Sequence, residues 1–237
     1  AIYVSKLSPD GGSLVYTAFF SGQTFSEFNS FGLFVDAKGF AYISGPTDSN
    51  NFPVKNAFQS EFGGSIDGFV LKLSRDGKSL VYSSYIGGGS FDHPRAVCAD
   101  SSGAAYVGGH TFSRDFPVKN AFQKTHSGGY DVFVAKVAPD GKSLVYSTLY
   151  GTSKEDACAD LLVDDEGAAT FTGVTGSPNL PVKSAFQKKF GGGSRDGFVA
   201  KLAPAGNSLI YASFLGGPSY DYVYDMNADR QGNIYVV

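Results

Sequence analysis

The chain is poor in several residue types that mark common protein classes. Its 237 residues include no Trp, one Met, two Cys and three His, and only 17% are charged. Glu, Met and Leu, which favour helices, are sparse, and this argues against a helical bundle. No apolar run approaches the ~18 residues that a membrane-spanning helix needs, and no secretory leader is recognisable at Ala1. With a net charge of −3, the chain also lacks the basic character expected of a nucleic-acid-binding protein.

Glycine and aromatic residues are abundant instead. The chain contains 31 Gly, 21 Phe and 14 Tyr. Together with Ser and Val, these residues are typical of strands and turns. A hydrophobic content of 42% is enough to bury a core, so the chain is not disordered. The composition therefore predicts one folded all-β domain over residues 1–237.

An internal repeat of about 65 residues runs along the whole chain. The segment Asp67-Gly-Phe-Val-Leu-Lys-Leu-Ser recurs from Asp131 and from Asp196, and a clipped copy opens the chain at Ile2. The lysine of this segment recurs at spacings of 66, 64 and 65 residues, as Lys6, Lys72, Lys136 and Lys201. Four elements recur in each copy, and the four copies cover approximately residues 1–45, 46–109, 110–173 and 174–237.

Each repeated element has the pattern of a short strand. Residues 69–74 alternate between two unlike faces, and Asp-Gly turns such as residues 100–103 separate adjacent elements. Four short antiparallel strands per copy with no helical segment are typical of a β-propeller. A β-solenoid fits less well, because its repeat is usually shorter. We therefore expect at least fourteen of the sixteen elements to be strands, with negligible helix.

Two segments, DGFVAKLAPAGNSLIYASFLGG and VCADSSGAAYVGGHTFSRDFPVKNAFQ, resemble the bacterial SBBP repeat, a β-propeller repeat of exported proteins. The resemblance covers essentially the whole chain and implies a propeller fold and export, but no particular reaction. The copies are not uniform: Gly151-Thr152 replaces a Gly-Gly doublet, Ala205 replaces a turn Asp, and residues 23–29 carry a two-residue insertion.

Resemblance to related propeller repeats also implies an order of strands within each blade. The strand ending at Asp100 would be the first and innermost, and the strand of residues 143–150 the fourth and outermost. The chain would then begin with strands three and four of one blade and end with strands one and two. Two arrangements stay open: a closed four-bladed ring, or four successive blades of a larger propeller.

An unpaired strand at Asn233–Val237 would expose backbone donors and acceptors. We therefore expect this edge to pair with the strand at Ile2–Ser8 of the same chain, or with another blade. Assembly of chains through these edge strands is a further alternative.

Adjacent strands run in opposite directions, so the links from second to third strands and those from fourth to first strands lie on the same face. This face carries the long links, such as Phe52-Pro-Val-Lys-Asn-Ala-Phe-Gln, and the Gly-rich segments that lead into the first strands. We interpret it as the binding face. Asp92, Asp156 and Asp221 each lie just before an inner strand there. Such carboxylates could bind calcium or the hydroxyl groups of a sugar. The alternative, which their repetition favours, is that each Asp accepts backbone N–H bonds in its own loop.

One polar cluster, Asp92-His93-Pro94-Arg95, departs from the other copies, and the stretch from Tyr220 to Tyr224 is the richest in aromatic residues. The candidate ligand-binding residues are therefore Asp92, His93, Arg95, Asp156, Asp221, Tyr222 and Tyr224. No catalytic or metal site is predicted, since the histidines lack metal-ligand spacing and no nucleophile elbow or phosphate loop occurs. Cys98 and Cys158 are expected to be buried free thiols, and they do not fix the compartment.

The leading hypothesis is a non-enzymatic extracellular or cell-surface β-propeller that serves as a scaffold or as a binding module for a protein or glycan. No cofactor other than calcium is considered. Two alternatives stay open: a lectin that uses Tyr220–Tyr224, and a polysaccharide hydrolase or lyase that uses the carboxylates near the channel mouth.

Overall fold

The computed structural model describes residues 2–20 and 31–237, and these residues form sixteen strands and no helix. The strands are β1 (Ile2–Leu7), β2 (Leu14–Phe20), β3 (Gly32–Val35), β4 (Ala41–Thr47), β5 (Asp67–Leu73), β6 (Leu80–Ile86), β7 (Asp92–Ala99), β8 (Ala105–Thr111), β9 (Asp131–Val137), β10 (Leu144–Tyr150), β11 (Asp156–Val163), β12 (Ala169–Thr175), β13 (Asp196–Leu202), β14 (Leu209–Leu215), β15 (Met226–Ala228) and β16 (Ile234–Val236). All sixteen repeated elements are strands, so the prediction of an all-β fold is confirmed. The insertion at residues 23–29 lies outside the described residues. No described helix is long and apolar enough to cross a membrane.

The strands form three four-stranded antiparallel sheets and two two-stranded sheets. We call the four-stranded sheets unit 1 (β3–β6), unit 2 (β7–β10) and unit 3 (β11–β14). The two-stranded sheets are the N-half (β1–β2) and the C-half (β15–β16). Within every sheet the strand order follows the chain order, because each strand is joined to the next by a turn or link.

The Asp-Gly turns form as the sequence predicts. Between β7 and β8, the Oδ1 atom of Asp100 accepts hydrogen bonds from the backbone N–H groups of Ser102 and Ala104, at 3.0 and 3.1 Å. Gly103 has a φ of +86°, a conformation that L side chains rarely adopt, and its N–H donates to the Asp100 carbonyl at 2.9 Å. A side-chain cap and a left-handed glycine therefore reverse the chain.

Successive units pack through the same contacts. The hydroxyl group of Tyr42 in unit 1 donates to the Gly103 carbonyl in unit 2, and that of Tyr106 in unit 2 donates to the Gly167 carbonyl in unit 3, both at 3.2 Å. The first strands β3, β7, β11 and β15 contact one another in that order. The chain is thus a series of similar sheets, each packed against its neighbours in sequence.

The long links lie along the outer strands. Lys55 exchanges backbone hydrogen bonds with Ser83 of β6, at 2.9 and 2.8 Å, and Lys119 does the same with Ser147 of β10. The link after β12 pairs in the same way with β14. The links therefore cover the outer edge of each unit, where a bare strand would be prone to aggregation.

Aromatic residues of the links anchor them to the sheets. Phe52 stacks on Phe69 with ring centroids 4.5 Å apart, and Phe116 packs on Phe133 at 4.6 Å. All four side chains are buried. Phe186 of the third link is the exception, because 71% of its surface is exposed.

The prediction that the Asn233–Val237 edge pairs with the strand at Ile2–Ser8 of the same chain is wrong for the described part of the chain. There, β16 pairs only with β15, and β1 pairs only with β2. Each half is held by its neighbouring unit instead. Ile2 and Phe20 of the N-half join the apolar core of unit 1, whereas β15 of the C-half contacts β11 of unit 3.

Candidate functional site

Asp156, the first residue of β11, has a carboxylate whose two oxygens accept hydrogen bonds from its own loop and from the end of β12. One oxygen, Oδ2, accepts hydrogen bonds from the Thr152 backbone N–H at 2.8 Å and from the Ser177 hydroxyl at 3.0 Å. The other, Oδ1, accepts from the Thr175 hydroxyl at 2.5 Å. The side chain is completely buried, and this burial raises its pKa to about 6.

The two equivalent aspartates have similar contacts. Asp92 is also fully buried, and its Oδ2 accepts from the Gly88 N–H at 2.8 Å and from the Ser113 hydroxyl at 2.7 Å. Burial raises the pKa of the Asp92 carboxyl. Asp221 is half-buried and accepts from the Gly217 N–H at 2.8 Å. These contacts are those of the loop-stabilising role that the repetition favours.

A second set of aspartates, at the start of the third strands, also bonds its own loops. Asp67 accepts from two glycine N–H groups, and Asp131 accepts from the Ser127 N–H at 2.9 Å. Among the described residues, the repeated lysines form no salt bridge with these aspartates. Lys136 and Lys201 instead form salt bridges with the turn aspartates Asp100 and Asp164, at 3.0 and 2.7 Å. Each salt bridge and its capped turn therefore lie together, at the end of the sheet opposite to Asp67 and Asp131.

Replacing Asp156 with Asn should change how stability depends on pH. An unfolded Asp titrates near 3.8, and the folded carboxyl titrates near 6. The folded state therefore binds more protons between these values, so the stability due to the protonated carboxyl is complete below pH ~3.8 and is lost as the pH rises through ~6. In urea unfolding between about pH 4 and pH 7, the native chain should lose stability relative to Asp156→Asn. Parallel curves would contradict this expectation.

Three tyrosines before β15 form a ladder on the surface. The ring centroids of Tyr220 and Tyr222 lie 6.5 Å apart with planes 20° from parallel, and those of Tyr222 and Tyr224 lie 4.3 Å apart at 33°. Tyr220 is 55% exposed and Tyr224 is 70% exposed, whereas Tyr222 is half-buried. Burial raises the pKa of the Tyr222 hydroxyl, and the positive charge of nearby Arg95 opposes that rise. The tyrosine ladder therefore combines flat apolar faces with a neighbouring guanidinium group.

An aromatic cluster in unit 2 surrounds two histidines. The rings of His93 and His110 lie 5.0 Å apart, and His110 lies 4.9 Å from the Tyr130 ring. Phe91 and Phe112 complete the cluster. Burial lowers the pKa of His110 well below 6.5, and His93 lowers it further, so His110 is neutral at physiological pH. His93 was predicted as a site residue from the sequence, but His110 was not. The signal that could have revealed His110 is its departure from the repeat, since the equivalent residues in units 1 and 3 are Pro46 and Val174.

Charged side chains connect this cluster with the tyrosine ladder. The Tyr130 hydroxyl donates to Oε2 of Glu155 at 3.2 Å, and Arg195 forms a salt bridge with the same oxygen. The Arg195 guanidinium also interacts electrostatically with Tyr220. Glu155 and Arg195 line a cleft of about 620 Å³ together with Lys154, Pro178 and Phe190. The predicted residues Arg95, Tyr222 and Tyr224 thus belong to one aromatic and charged surface that spans units 2 and 3 and the segment before β15, whereas the predicted residue His93 is buried within the aromatic cluster of unit 2.

Sequence analysis also missed a carboxyl pair, Asp160 and Asp225. These residues hold equivalent positions, four before the turn aspartate, where unit 2 has Ala96. Their side chains are hydrogen-bonded, and the Met226 N–H donates to both, at 3.0 Å to Asp160 and 2.9 Å to Asp225. Burial, reinforced by the charge of Asp225, raises the pKa of Asp160 to about 6. Among the described residues, no group of three or more His, Cys, Asp or Glu side chains is arranged to hold a metal ion.

Both cysteines are free and buried, as predicted. Burial is the main cause of the raised pKa of the Cys98 and Cys158 thiols, and the negative charge of Asp160 adds to it. At neutral pH they are therefore protonated and weakly nucleophilic.

No protein-family model matches the chain, and a search of curated proteins found no significant similarity.

Proposed function

We propose that the chain is a non-enzymatic β-propeller that acts outside the cell or at the cell surface as a binding module, with the tyrosine ladder as its ligand surface. The repeated contacts between units support the propeller arrangement. The first strands contact one another in sequence, as expected when they surround a common channel. The resemblance to SBBP repeats of exported proteins supports the location.

The tyrosine ladder is the observation that carries the proposal. Tyrosine presents a flat apolar ring and a polar hydroxyl group, and it loses little conformational entropy when it binds a ligand. Tyr220 and Tyr224 are more than half exposed, so their rings offer apolar surface on which a sugar chain could stack. Arg95 and Arg195 lie beside the ladder and supply hydrogen-bond donors to hydroxyl or carboxylate groups. A glycan is therefore the ligand class that fits best.

The hydrolase or lyase alternative has less support. Asp92 and Asp156 are fully buried and accept hydrogen bonds from their own loops. A general acid or base must come within hydrogen-bond reach of its substrate. A buried carboxylate held by its own loop is poorly suited to that role, so the contacts favour binding over catalysis.

We expect Tyr224→Ala to weaken binding of a polysaccharide about tenfold, corresponding to ~1.4 kcal/mol for a lost stacking contact. Isothermal titration calorimetry with soluble neutral and acidic polysaccharides, chosen first by array screening, would measure this. Phe186→Ala is the matched control, since Phe186 is equally exposed on a link away from the ladder. Equal weakening by both variants, or no binding to any polysaccharide, would contradict the glycan proposal. Cleavage of the polysaccharide would contradict the non-enzymatic one.

A further inference from the structure

The cleft between units 2 and 3 lies beside the tyrosine ladder, because Arg195 lines the cleft and also interacts electrostatically with Tyr220. Its volume of about 620 Å³ is within the range of about 300–1,000 Å³ that is usual for small-molecule sites. Given the glycan-binding function proposed above, on which this inference rests, we propose that the cleft holds one residue of the glycan and selects a neutral sugar. Glu155 accepts a hydrogen bond from one hydroxyl group of the sugar ring, and Arg195 donates one to a neighbouring hydroxyl.

The backbone that carries these two residues is the same at three successive junctions. The aspartate before each first strand donates its backbone N–H to the carbonyl of the residue that precedes β5, β9 or β13. These bonds join Asp92 to Ile66 at 2.9 Å, Asp156 to Tyr130 at 2.8 Å, and Asp221 to Arg195 at 3.0 Å. Two side-chain positions therefore meet at each junction, and they hold Ile66 and Phe91, Tyr130 and Glu155, and Arg195 and Tyr220.

The fold does not require charge at these positions. At the first junction, Ile66 and Phe91 are adjacent in a short parallel bridge, and both are apolar. Glu155 and Arg195 belong to the two later junctions, where they form a salt bridge whose side chains are 47% and 28% exposed. An ion pair that stays accessible to water stabilises a fold little. A ligand therefore explains this charged pair better than the stability of the scaffold does.

Glu155 is oriented by the protein and keeps an oxygen for a ligand. Its Oε2 accepts hydrogen bonds from the Tyr130 hydroxyl at 3.2 Å and from the Arg195 guanidinium. Within residues 2–20 and 31–237, its Oε1 accepts none. A guanidinium group has five N–H donors, so Arg195 also keeps donors for a ligand. Since each hydroxyl group of a sugar both donates and accepts, two neighbouring hydroxyls match this acceptor and donor.

The charges in the cleft favour a neutral sugar over an acidic one. Glu155 already balances the charge of Arg195, and it would repel the carboxylate of a uronic acid. Lys154 is the other cation that lines the cleft, and in the described part of the chain it forms no salt bridge. Lys154 is exposed, so water and salt screen its charge. Phe190 and Pro178 supply apolar surface for the C–H groups of the ring.

Glu155→Gln distinguishes a neutral ligand from an acidic one by the sign of its effect. With a neutral polysaccharide the variant loses a charged acceptor, so the Kd should rise about tenfold. With an acidic polysaccharide the variant loses a repulsive charge, so the Kd would fall. Isothermal titration calorimetry with polygalacturonate, alginate and hyaluronate, each beside its carboxyl-reduced form, compares ligands that differ at the carboxyl group alone. We expect the native chain to bind a reduced, neutral form more tightly than its acidic parent.

Glu166→Gln is the matched control, because Glu166 is an exposed glutamate in the turn between β11 and β12, at the other end of the sheet. It should leave the Kd unchanged. The Tm of Glu155→Gln should fall by less than about 4 °C, since the salt bridge is exposed.

The outcomes separate this inference from the proposed function. Tighter binding of the acidic forms, or a lower Kd for Glu155→Gln, would overturn the selection of a neutral sugar and leave glycan binding in place. Weaker binding by Tyr224→Ala with an unchanged Kd for Glu155→Gln would overturn the role of the cleft alone. No binding to any polysaccharide would overturn the proposed function, and this inference with it.

Discussion

Asp156→Ala should lower the free energy of unfolding by about 3 kcal/mol. The substitution leaves three buried donors without their acceptor: the Thr152 N–H and the hydroxyl groups of Thr175 and Ser177. A buried donor without a partner costs about 1–3 kcal/mol, and rotation of the two hydroxyls recovers part of that cost. Urea unfolding of the native chain and the variant at one pH would measure the change in midpoint at constant m-value.

Asp221→Ala is the matched control for this prediction. Asp221 holds the equivalent position, is half-buried, and accepts one hydrogen bond, from Gly217. Its loss should cost less than about 1 kcal/mol. Equal losses for the two variants would show that the hydrogen bonds of Asp156 do not control the stability of its loop.

Gly173→Ala should be the most destabilising single methyl addition in unit 3. A Cβ atom at this position of β12 would lie 1.9 Å from the Ala157 carbonyl oxygen, a distance that real structures do not tolerate. Gly173 pairs with Cys158 next to the register shift of β11, where the two backbones come unusually close. The strands must separate to admit the methyl group, and overpacking of a buried site costs several kcal/mol.

Thermal unfolding would test this prediction. For a chain of this length, ~3 kcal/mol corresponds to a fall in Tm of about 10 °C. Gly217→Ala is the control, because the nearest atom to a Cβ there is 3.9 Å away. If Gly173→Ala does not fold, that result also supports the prediction. An unchanged Tm for Gly173→Ala would contradict it.

The repeat made the strands predictable, because spacing, alternation and Asp-Gly turns agree in four copies. Contacts between distant segments were not predictable in this way. The link at Lys55 has no strand pattern of its own, yet it pairs with Ser83 because β6 offers an open edge. Likewise, the salt bridge between Lys136 and Asp100 joins residues that are 36 positions apart, and only the fold brings them together.

The candidate site was predicted only in part for the same reason. Tyr222 and Arg95 were recognisable because they depart from the repeat. Tyr130 and Glu155 were not recognised, although their hydrogen bond helps to connect the aromatic cluster with the ladder. These two residues are 25 positions apart, and only the packing of unit 2 against unit 3 brings their side chains together.

The tyrosine hydroxyl that bridges successive units also sets how strongly neighbours are coupled. Tyr42 and Tyr106 each supply this hydrogen bond to the next turn, whereas unit 3 has Thr170 at the equivalent position. A threonine side chain is too short to reach the following turn as the tyrosines do. If each sheet interacts only with its neighbours, the interaction of unit 3 with the C-half lacks one hydrogen bond that joins unit 1 to unit 2 and unit 2 to unit 3. Its interaction free energy is therefore smaller by about 1 kcal/mol. Separating the C-half from unit 3 therefore costs less than separating unit 1 from unit 2 or unit 2 from unit 3.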